Sequence, residues 1–142
     1  LGKPYEPNSI IKNDIEYILM QRKLGGYRSP SPDVRVLSLI SSTDHREWFR
    51  QVWSIPGAST RNHPAPFPLQ LATRLVRMFS FAGDTVLDPF MGTGTVNLAA
   101  SLCGRNSIGV EIERRYVQLA AQRMHDEHDR FFSSATVSVV GS

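Results

Sequence analysis

The residues best suited to chemistry form a glycine loop at residues 86–95, with the sequence VLDPFMGTGT. An apolar run ends at Asp88, and Gly92 and Gly94 then precede a predicted helix. Glycines let the backbone pass close beneath a ligand, and the start of a helix directs unpaired amide groups at it. The loop therefore predicts a small, partly anionic ligand. A tight turn that needs the glycines for geometry alone is the structural alternative.

Three classes of ligand use loops of this kind, and residue spacing distinguishes them. A phosphate-binding loop needs a lysine after its last glycine, but none follows Gly94. A dinucleotide loop needs a third glycine where Asn97 stands, although Glu111 follows at the distance expected for a ribose-binding acid. S-adenosylmethionine (SAM) fits best, because Glu111 at the next strand end can accept hydrogen bonds from both ribose hydroxyls. We interpret Glu113 as a helix cap.

A crossover of two parallel strands around one helix would position this loop. Residues 85–88 are predicted as a short buried strand and residues 106–111 as the second strand. Between them, the pattern predicts a helix that Thr93 or Thr95 caps and that ends at Cys103-Gly104. Two parallel strands joined in this way indicate the α/β class.

Two further helices flank this crossover. One should begin near Pro68 and place these residues on one face: Leu71, Leu75, Val76 and Phe79. The other should follow Glu113 and carry this stripe: Tyr116, Ala120 and Met124. Residues 15–20 are apolar and rich in β-branched and aromatic side chains, which predicts a strand, whereas residues 25–62 show no regular pattern.

The composition is that of an ordinary globular domain. The chain has 142 residues, 41% hydrophobic and 20% charged, a length that fits about one domain. No apolar run approaches the roughly 18 residues of a membrane span, and residues 1–8 lack a signal-peptide pattern, so we expect a cytoplasmic protein. The single cysteine, Cys103, excludes an internal disulfide.

Excess positive charge is confined to the first part of the chain. Residues 1–62 carry nine Lys/Arg and six acidic residues, whereas residues 63–142 carry seven of each. Arginine outnumbers lysine 13 to 3, a bias that suits contacts with phosphates and base edges. The first part is therefore a candidate for binding a polyanion, with a solvated basic surface as the alternative.

The run from His63 to Arg123 resembles the C-terminal half of the N6-adenine/N4-cytosine DNA methyltransferases of permuted order, in which the catalytic tetrapeptide precedes the SAM loop. The resemblance implies a three-layer, Rossmann-like α/β sandwich of the SAM-dependent methyltransferase kind, incomplete in this chain. It implies methyl transfer from SAM to an exocyclic amino nitrogen of adenine or cytosine in DNA. It also implies these cofactor contacts: His63, Pro68, Asp88, Phe90, Gly92, Gly94, Thr95 and Glu111.

The catalytic tetrapeptide of that family, (D/N/S)PP(Y/F/W), does not occur in the sequence, where residues 3–5 (KPY) offer only one proline. The tetrapeptide holds the hydrogens of the target amine and stacks the flipped base. Its absence predicts that the chain binds SAM but is inactive alone. We expect a C-terminal portion of a longer enzyme, whose partners are DNA and the missing N-terminal portion but no membrane, and a homodimer stays open.

The resemblance also divides the chain. Residues 1–24 correspond to a late sheet strand, residues 25–62 to a basic insertion in the place of target recognition, and residues 63–142 to the SAM-binding half. Candidate DNA contacts in the insertion are Tyr27, Arg28, Arg35 and Arg61. At least two of its aromatic residues Trp48, Phe49 and Trp53 are expected to pack in the core.

Three alternatives remain. A non-catalytic SAM-binding or DNA-binding module would share the glycine loop or the basic segment. A nicotinamide-dependent oxidoreductase is disfavoured by Asn97 and by the lack of a substrate domain. A metal site at His125 and His128 lacks a third ligand at useful spacing, so no metal is expected.

Overall fold

The computed structural model describes residues 15–57, 67–131 and 136–140 of the chain. In chain order the helices and strands are α1 (Pro32–Leu37), α2 (Ser42–Trp48), α3 (Leu69–Phe79), β1 (Thr85–Asp88), α4 (Thr95–Leu102), β2 (Asn106–Gly109) and α5 (Arg114–Phe131). Within these residues, no helix is both long and apolar enough to cross a bilayer.

The two strands are parallel and pair from Thr85 with Asn106 to Asp88 with Gly109. This confirms the predicted crossover, with α4 as the connecting helix and Cys103 as its C-cap. One strand face points at α4, while Leu87 and Ile108 on the other face are more than half exposed. The prediction that residues 85–88 form a buried strand is therefore wrong, because one face is exposed and the other is only partly buried. The second strand ends at Gly109, two residues earlier than predicted.

The described core lies where α3 crosses α4. Ala72 and Val76 of α3 pack against Ala99 of α4, and Val86 of β1 adds to this cluster. The predicted face of α3 is partly wrong, because Phe79 is exposed while Ala72 is buried. Small side chains let the two helices approach closely, which turns Ala72 rather than the bulkier neighbours toward α4.

The cap of α4 also differs from the prediction. Neither Thr93 nor Thr95 caps the helix: Gly94 is the N-cap, with φ of 74° and no side-chain hydrogen bond to the first turn. Its carbonyl accepts from Leu98 N–H at 2.9 Å. A left-handed residue at this point turns the chain sharply into the helix, and glycine adopts that conformation without steric cost.

Residues 15–24 contain neither helix nor strand, so the predicted strand at residues 15–20 is wrong for this structure. The large apolar side chains of residues 15–20 are 54–87% exposed. A strand persists only where a neighbour completes its hydrogen-bond ladder, and the sheet of the described residues pairs β1 with β2 only. The division at residues 24 and 62 stays a prediction.

The sequence pattern did not predict helices α1 and α2, and α2 docks on α3 through charge pairs. Arg74, only 4% exposed, pairs with Glu47 of α2. Arg77 lies 3.8 Å from Asp44 and places its guanidinium over the ring of Trp48. The acidic side chains of α2 thus face α3.

The three aromatic residues of this segment differ in burial. Trp48 is buried, and half-buried Trp53 donates its indole N–H to the Trp48 carbonyl at 2.8 Å. Phe49 remains exposed and stacks on His45, with ring centroids 4.4 Å apart. We expected at least two of the three aromatics to pack in the core, but only Trp48 is buried and Trp53 is half-buried.

Candidate cofactor site

The glycine loop lies over the carboxyl ends of both strands. Val110 N–H donates to the Asp88 carbonyl at 2.9 Å, and Met91 N–H donates to the Val110 carbonyl at 3.0 Å. These bonds continue the strand pairing past the end of the sheet and hold the loop above β2. In open α/β sheets this edge is where ligands bind.

Left-handed glycines and one short turn shape the loop. Asp88 accepts from Phe90 N–H at 3.1 Å, which turns the chain directly after β1. Gly92 and Gly94 then have φ values of 51° and 74°. A Cβ at Gly94 would lie 3.0 Å from the Cβ of Ala120, so α5 touches the loop closely at that point.

Glu111 joins the loop to the start of α5. One of its carboxylate oxygens accepts from Gly92 N–H at 2.9 Å, and the other accepts from Glu113 N–H at 2.9 Å. These bonds fix the orientation of the carboxylate beside the glycines. The structure therefore brings together the two halves of the site, 19 residues apart in sequence.

Glu113 takes the structural role assigned to it. Its carbonyl accepts from Tyr116 N–H at 2.9 Å, and its carboxylate accepts from Arg115 N–H at 3.5 Å. Both contacts satisfy amides in the first turn of α5, as expected of a helix cap. Glu111 and Glu113 thus differ in role despite their proximity.

The packing of α4 against β2 explains why Asn97 can occupy the position of the third glycine of a dinucleotide loop. Asn97 is buried in α4 and donates to Ser107 Oγ at 3.1 Å. A Cβ at Gly109 would collide with Met91 Sδ and lie 2.9 Å from both amide atoms of Asn97. Close helix–strand packing is therefore achieved by a glycine on the strand instead of one on the helix.

Exposed apolar side chains border the site, and one was not singled out from sequence. Phe90 is 88% exposed, and Ile112, directly after Glu111, is fully exposed. An apolar residue between two glutamates after a strand end was the signal that could have identified Ile112. Such side chains can cover the face of a planar, apolar ligand group.

Arg123 of α5 is a second residue that sequence reasoning missed. Its guanidinium donates to Thr95 Oγ1 at 3.0 Å and, more distantly, to the Thr93 carbonyl at 3.4 Å. It lies 28 residues from Thr95 in sequence, so no local pattern indicates the contact.

The remaining candidate residues are less closely tied to the loop. Pro68 is the N-cap of α3, and its carbonyl accepts from Leu71 and Ala72. His63 and Arg61 lie outside the described residues. Three predicted DNA contacts are exposed in the first part of the chain: Tyr27, Arg28 and Arg35.

Two of those three have partners within the chain. The ring of Tyr27 is covered by the guanidinium of Arg22, 3.9 Å from its centroid. Arg28 forms an ion pair with Asp84 at 2.6 Å. Arg35, by contrast, forms no ion pair within the part of the chain that the structure describes.

Residues 2–122 match the N6/N4 methyltransferase family model, which is described as DNA methylase. The chain belongs to this family. The type II methyltransferase M.MthZI of Methanothermobacter thermautotrophicus is 39% identical over 84% of this chain. The type II methyltransferase M.MjaI of Methanocaldococcus jannaschii is 45% identical over 76% of it. These alignments span only 37% and 38% of the two relatives, respectively.

A solved structure supports the fold of this family member. TTHA0409 of Thermus thermophilus, a proposed DNA modification methylase crystallised with S-adenosyl-L-methionine, is 53% identical, with a TM-score of 0.73. The match covers 89% of this chain and 49% of TTHA0409. The predicted methyltransferase fold, incomplete in this chain, is confirmed.

Proposed function

We propose that this DNA methylase chain holds SAM through the loop of residues 86–95 and the carboxylate of Glu111. The observation that carries the proposal is the 2.9 Å hydrogen bond between Gly92 N–H and Glu111. This bond supports the proposal because it holds a carboxylate, which can accept from hydroxyls, beside a loop whose glycines leave room for close approach. SAM needs both features within one small site.

The chemistry of the surrounding groups fits the rest of the cofactor. The methionine end of SAM carries a carboxylate, and the start of α4, which has no side-chain cap, offers backbone amides to an anion. The adenine ring is planar and apolar, and exposed Ile112 follows Glu111 directly. We assign the carboxylate to the start of α4, the ribose to Glu111 and the adenine to Ile112.

The activity we propose is methyl transfer to an exocyclic amino nitrogen of adenine or cytosine in DNA. Bound SAM supplies an electrophilic methyl group on its sulfonium. The residues of this chain orient that cofactor, but no (D/N/S)PP(Y/F/W) tetrapeptide occurs in the sequence to hold the target amine. We therefore propose that this chain, of permuted order, binds SAM without transferring its methyl group unaided.

For DNA contacts, we add the outward side of α2 and of the two residues that follow it to Tyr27, Arg28, Arg35 and Arg61. The acids of α2 face the arginines of α3, whereas Arg46 and Arg50 are exposed. Arg46 donates to a threonine hydroxyl at 3.5 Å and Arg50 to a carbonyl at 3.0 Å, so both keep donors for phosphates. Charge separation across one short helix supports this surface.

Calorimetric titration of the 142-residue chain with SAM and, in parallel, with NAD tests the cofactor assignment. We expect SAM to bind and NAD to leave the baseline unchanged, because Asn97 replaces the third glycine of a dinucleotide loop. Binding of NAD without SAM would support an oxidoreductase and contradict the proposal. Binding of DNA without either cofactor would support a DNA-binding module.

The proposal that the chain does not transfer the methyl group unaided is tested by an assay for transfer of a tritiated methyl group from SAM to mixed-sequence DNA. We expect SAM binding without label in the DNA, because positioning groups for the amine contribute orders of magnitude in rate. Catalytic labelling by the chain alone would contradict the proposal that the tetrapeptide is needed. The non-catalytic alternative predicts that the chain stays inactive in every combination with domains of related methylases that carry the tetrapeptide.

A further inference from the structure

Glu111 and two residues of helix α5 contact the glycine loop at three successive points. Glu111, just before the helix, accepts from Gly92 N–H, and the Cβ of Ala120 lies against Gly94. One turn further on, Arg123 donates to Thr95 Oγ1 at 3.0 Å. The first two contacts involve the backbone of the loop, and the third fixes a side chain at its exit.

The contact with Arg123 determines how the Thr95 hydroxyl can bond. A guanidinium has only donors, so Thr95 Oγ1 must act as the acceptor in this pair. A hydroxyl that accepts from arginine keeps its single hydrogen for another acceptor. Arg123 therefore makes Thr95 a hydrogen-bond donor at the start of α4, where the backbone amides are donors as well.

We propose that Arg123 is a positioning residue that sets the Thr95 hydroxyl to donate to the carboxylate of the bound methionine. This inference rests on the proposed function, because it names the group that recognises one end of SAM. Arg123 acts through Thr95 and does not touch the cofactor itself. The half-buried guanidinium and its additional contact with the Thr93 carbonyl, at 3.4 Å, keep the hydroxyl in place.

Two ligands separate this role from general support of the fold. SAM carries the methionine carboxylate, whereas 5′-methylthioadenosine has the same adenosine without the amino acid. We would measure the Kd of both by calorimetry for the wild type, Arg123→Met, Arg123→Lys, Thr95→Val and the double variant Arg123→Met/Thr95→Val. Arg114→Met is the matched control, because Arg114 is an exposed arginine of the same helix.

We expect Arg123→Met to weaken the binding of SAM about tenfold, as the loss of a hydrogen bond to a charged group does. The binding of methylthioadenosine should weaken less than about twofold. Arg123→Lys should restore part of the SAM affinity because lysine also only donates. The double variant should lose no more affinity than Thr95→Val alone, since both changes remove one coupled pair. Arg114→Met should bind both ligands like the wild type.

Equal weakening of the two ligands by Arg123→Met, or additive losses in the double variant, would overturn the inference. Hydrogen exchange without ligand supplies an independent readout: amides 92–95 should exchange faster in Arg123→Met than in Arg114→Met, and equal rates would also contradict it. If Arg123→Met does not fold, Arg123→Lys and Thr95→Val still decide the point. If the wild type binds neither ligand, the proposed function is refuted. If the wild type binds SAM and Arg123→Met binds it equally well, only this inference is refuted.

Discussion

The guanidinium of Arg28 donates to both carboxylate oxygens of Asp84, at 2.6 and 2.7 Å, across 56 residues of sequence. Asp84 directly precedes β1, whereas the glycine loop follows the other end of that strand. The ion pair therefore attaches the basic segment to the edge of the sheet away from the cofactor site. It also occupies one of the arginines that the sequence suggested for DNA.

The pair makes stability depend on pH. Partial burial raises the pKa of Asp84, but hydrogen bonds from Arg28 and Phe81 N–H outweigh it and hold the pKa below 3.8. Because the folded pKa is the lower one, the stabilisation is complete above the unfolded value and disappears as pH falls through the folded value. We expect Asp84→Asn to cost about 0.5–1 kcal/mol near pH 7 and less near pH 3.

Urea unfolding at both pH values measures this difference. Arg28→Gln should show the same pH dependence, because it removes the other partner of the pair. Arg35→Gln is the control, since Arg35 is also exposed and forms no ion pair among the described residues. A cost for Asp84→Asn that stays constant from about pH 7 to about pH 3 would show that the charge of Asp84 does not matter.

The elements around the glycine loop could be predicted because local spacing determines them. An apolar run that ends in Asp88, two glycines and a second short strand define one crossover unit within about 25 residues. The predicted cap of α4 was wrong because threonine is a preferred cap by residue type, whereas the positive φ of Gly94 determines where the helix begins. The choice between them depends on the path of the loop over β2.

The docking of the first part of the chain could not be predicted from local pattern. Helices α1 and α2 are six and seven residues long, too short to give a clear helical period. Arg74 reads as a surface residue of α3, yet it is buried because Glu47 and the rings of Trp48 and Trp53 surround its guanidinium. Its partner lies 27 residues earlier, beyond any sequence window.

Replacing Glu111 with glutamine should weaken SAM at least about tenfold, because charge-assisted hydrogen bonds to the ribose become neutral ones. Glutamine keeps the shape of the side chain, and its carbonyl oxygen can still accept from Gly92 N–H, whereas its NH2 group cannot accept from Glu113 N–H. One hydrogen bond at the start of α5 is lost, and the fold should survive, which thermal unfolding verifies. Glu113→Gln, at the helix cap two residues later, should retain SAM affinity within about twofold. Equal calorimetric Kd values for Glu111→Gln and wild type would contradict the ribose assignment.

Alanine at position 109 should destabilise the chain by about 1–3 kcal/mol, since the added Cβ would collide with Met91 and crowd the amide of Asn97. The affected contacts join β2, α4 and the loop, so SAM affinity should fall together with stability. Gly57→Ala is the control, because a Cβ there meets nothing within 4 Å. Urea unfolding of both variants gives the comparison, and a Gly109→Ala chain as stable as Gly57→Ala would show that β2 and α4 are not packed this closely.

Binding of DNA by this chain should be weak, carried by the basic segment and sensitive to salt. If Arg46 of α2 and Arg50, just after that helix, contact phosphates, Arg46→Gln and Arg50→Gln should each lower the magnitude of the slope of log K against log salt by about 1. Fluorescence anisotropy with labelled duplex DNA at several salt concentrations measures these slopes.

Arg114→Gln is the control and should leave the slope unchanged, because Arg114 is an exposed arginine of α5 in the part of the chain without excess charge. Arg28→Gln separates the surface around Arg28 from the one that carries Arg46 and Arg50. The guanidinium of Arg28 is paired with Asp84, so Arg28 should contribute less to the slope than Arg46 or Arg50. A slope that responds to Arg28→Gln or Arg114→Gln but not to Arg46→Gln or Arg50→Gln would place the DNA on another face of the molecule.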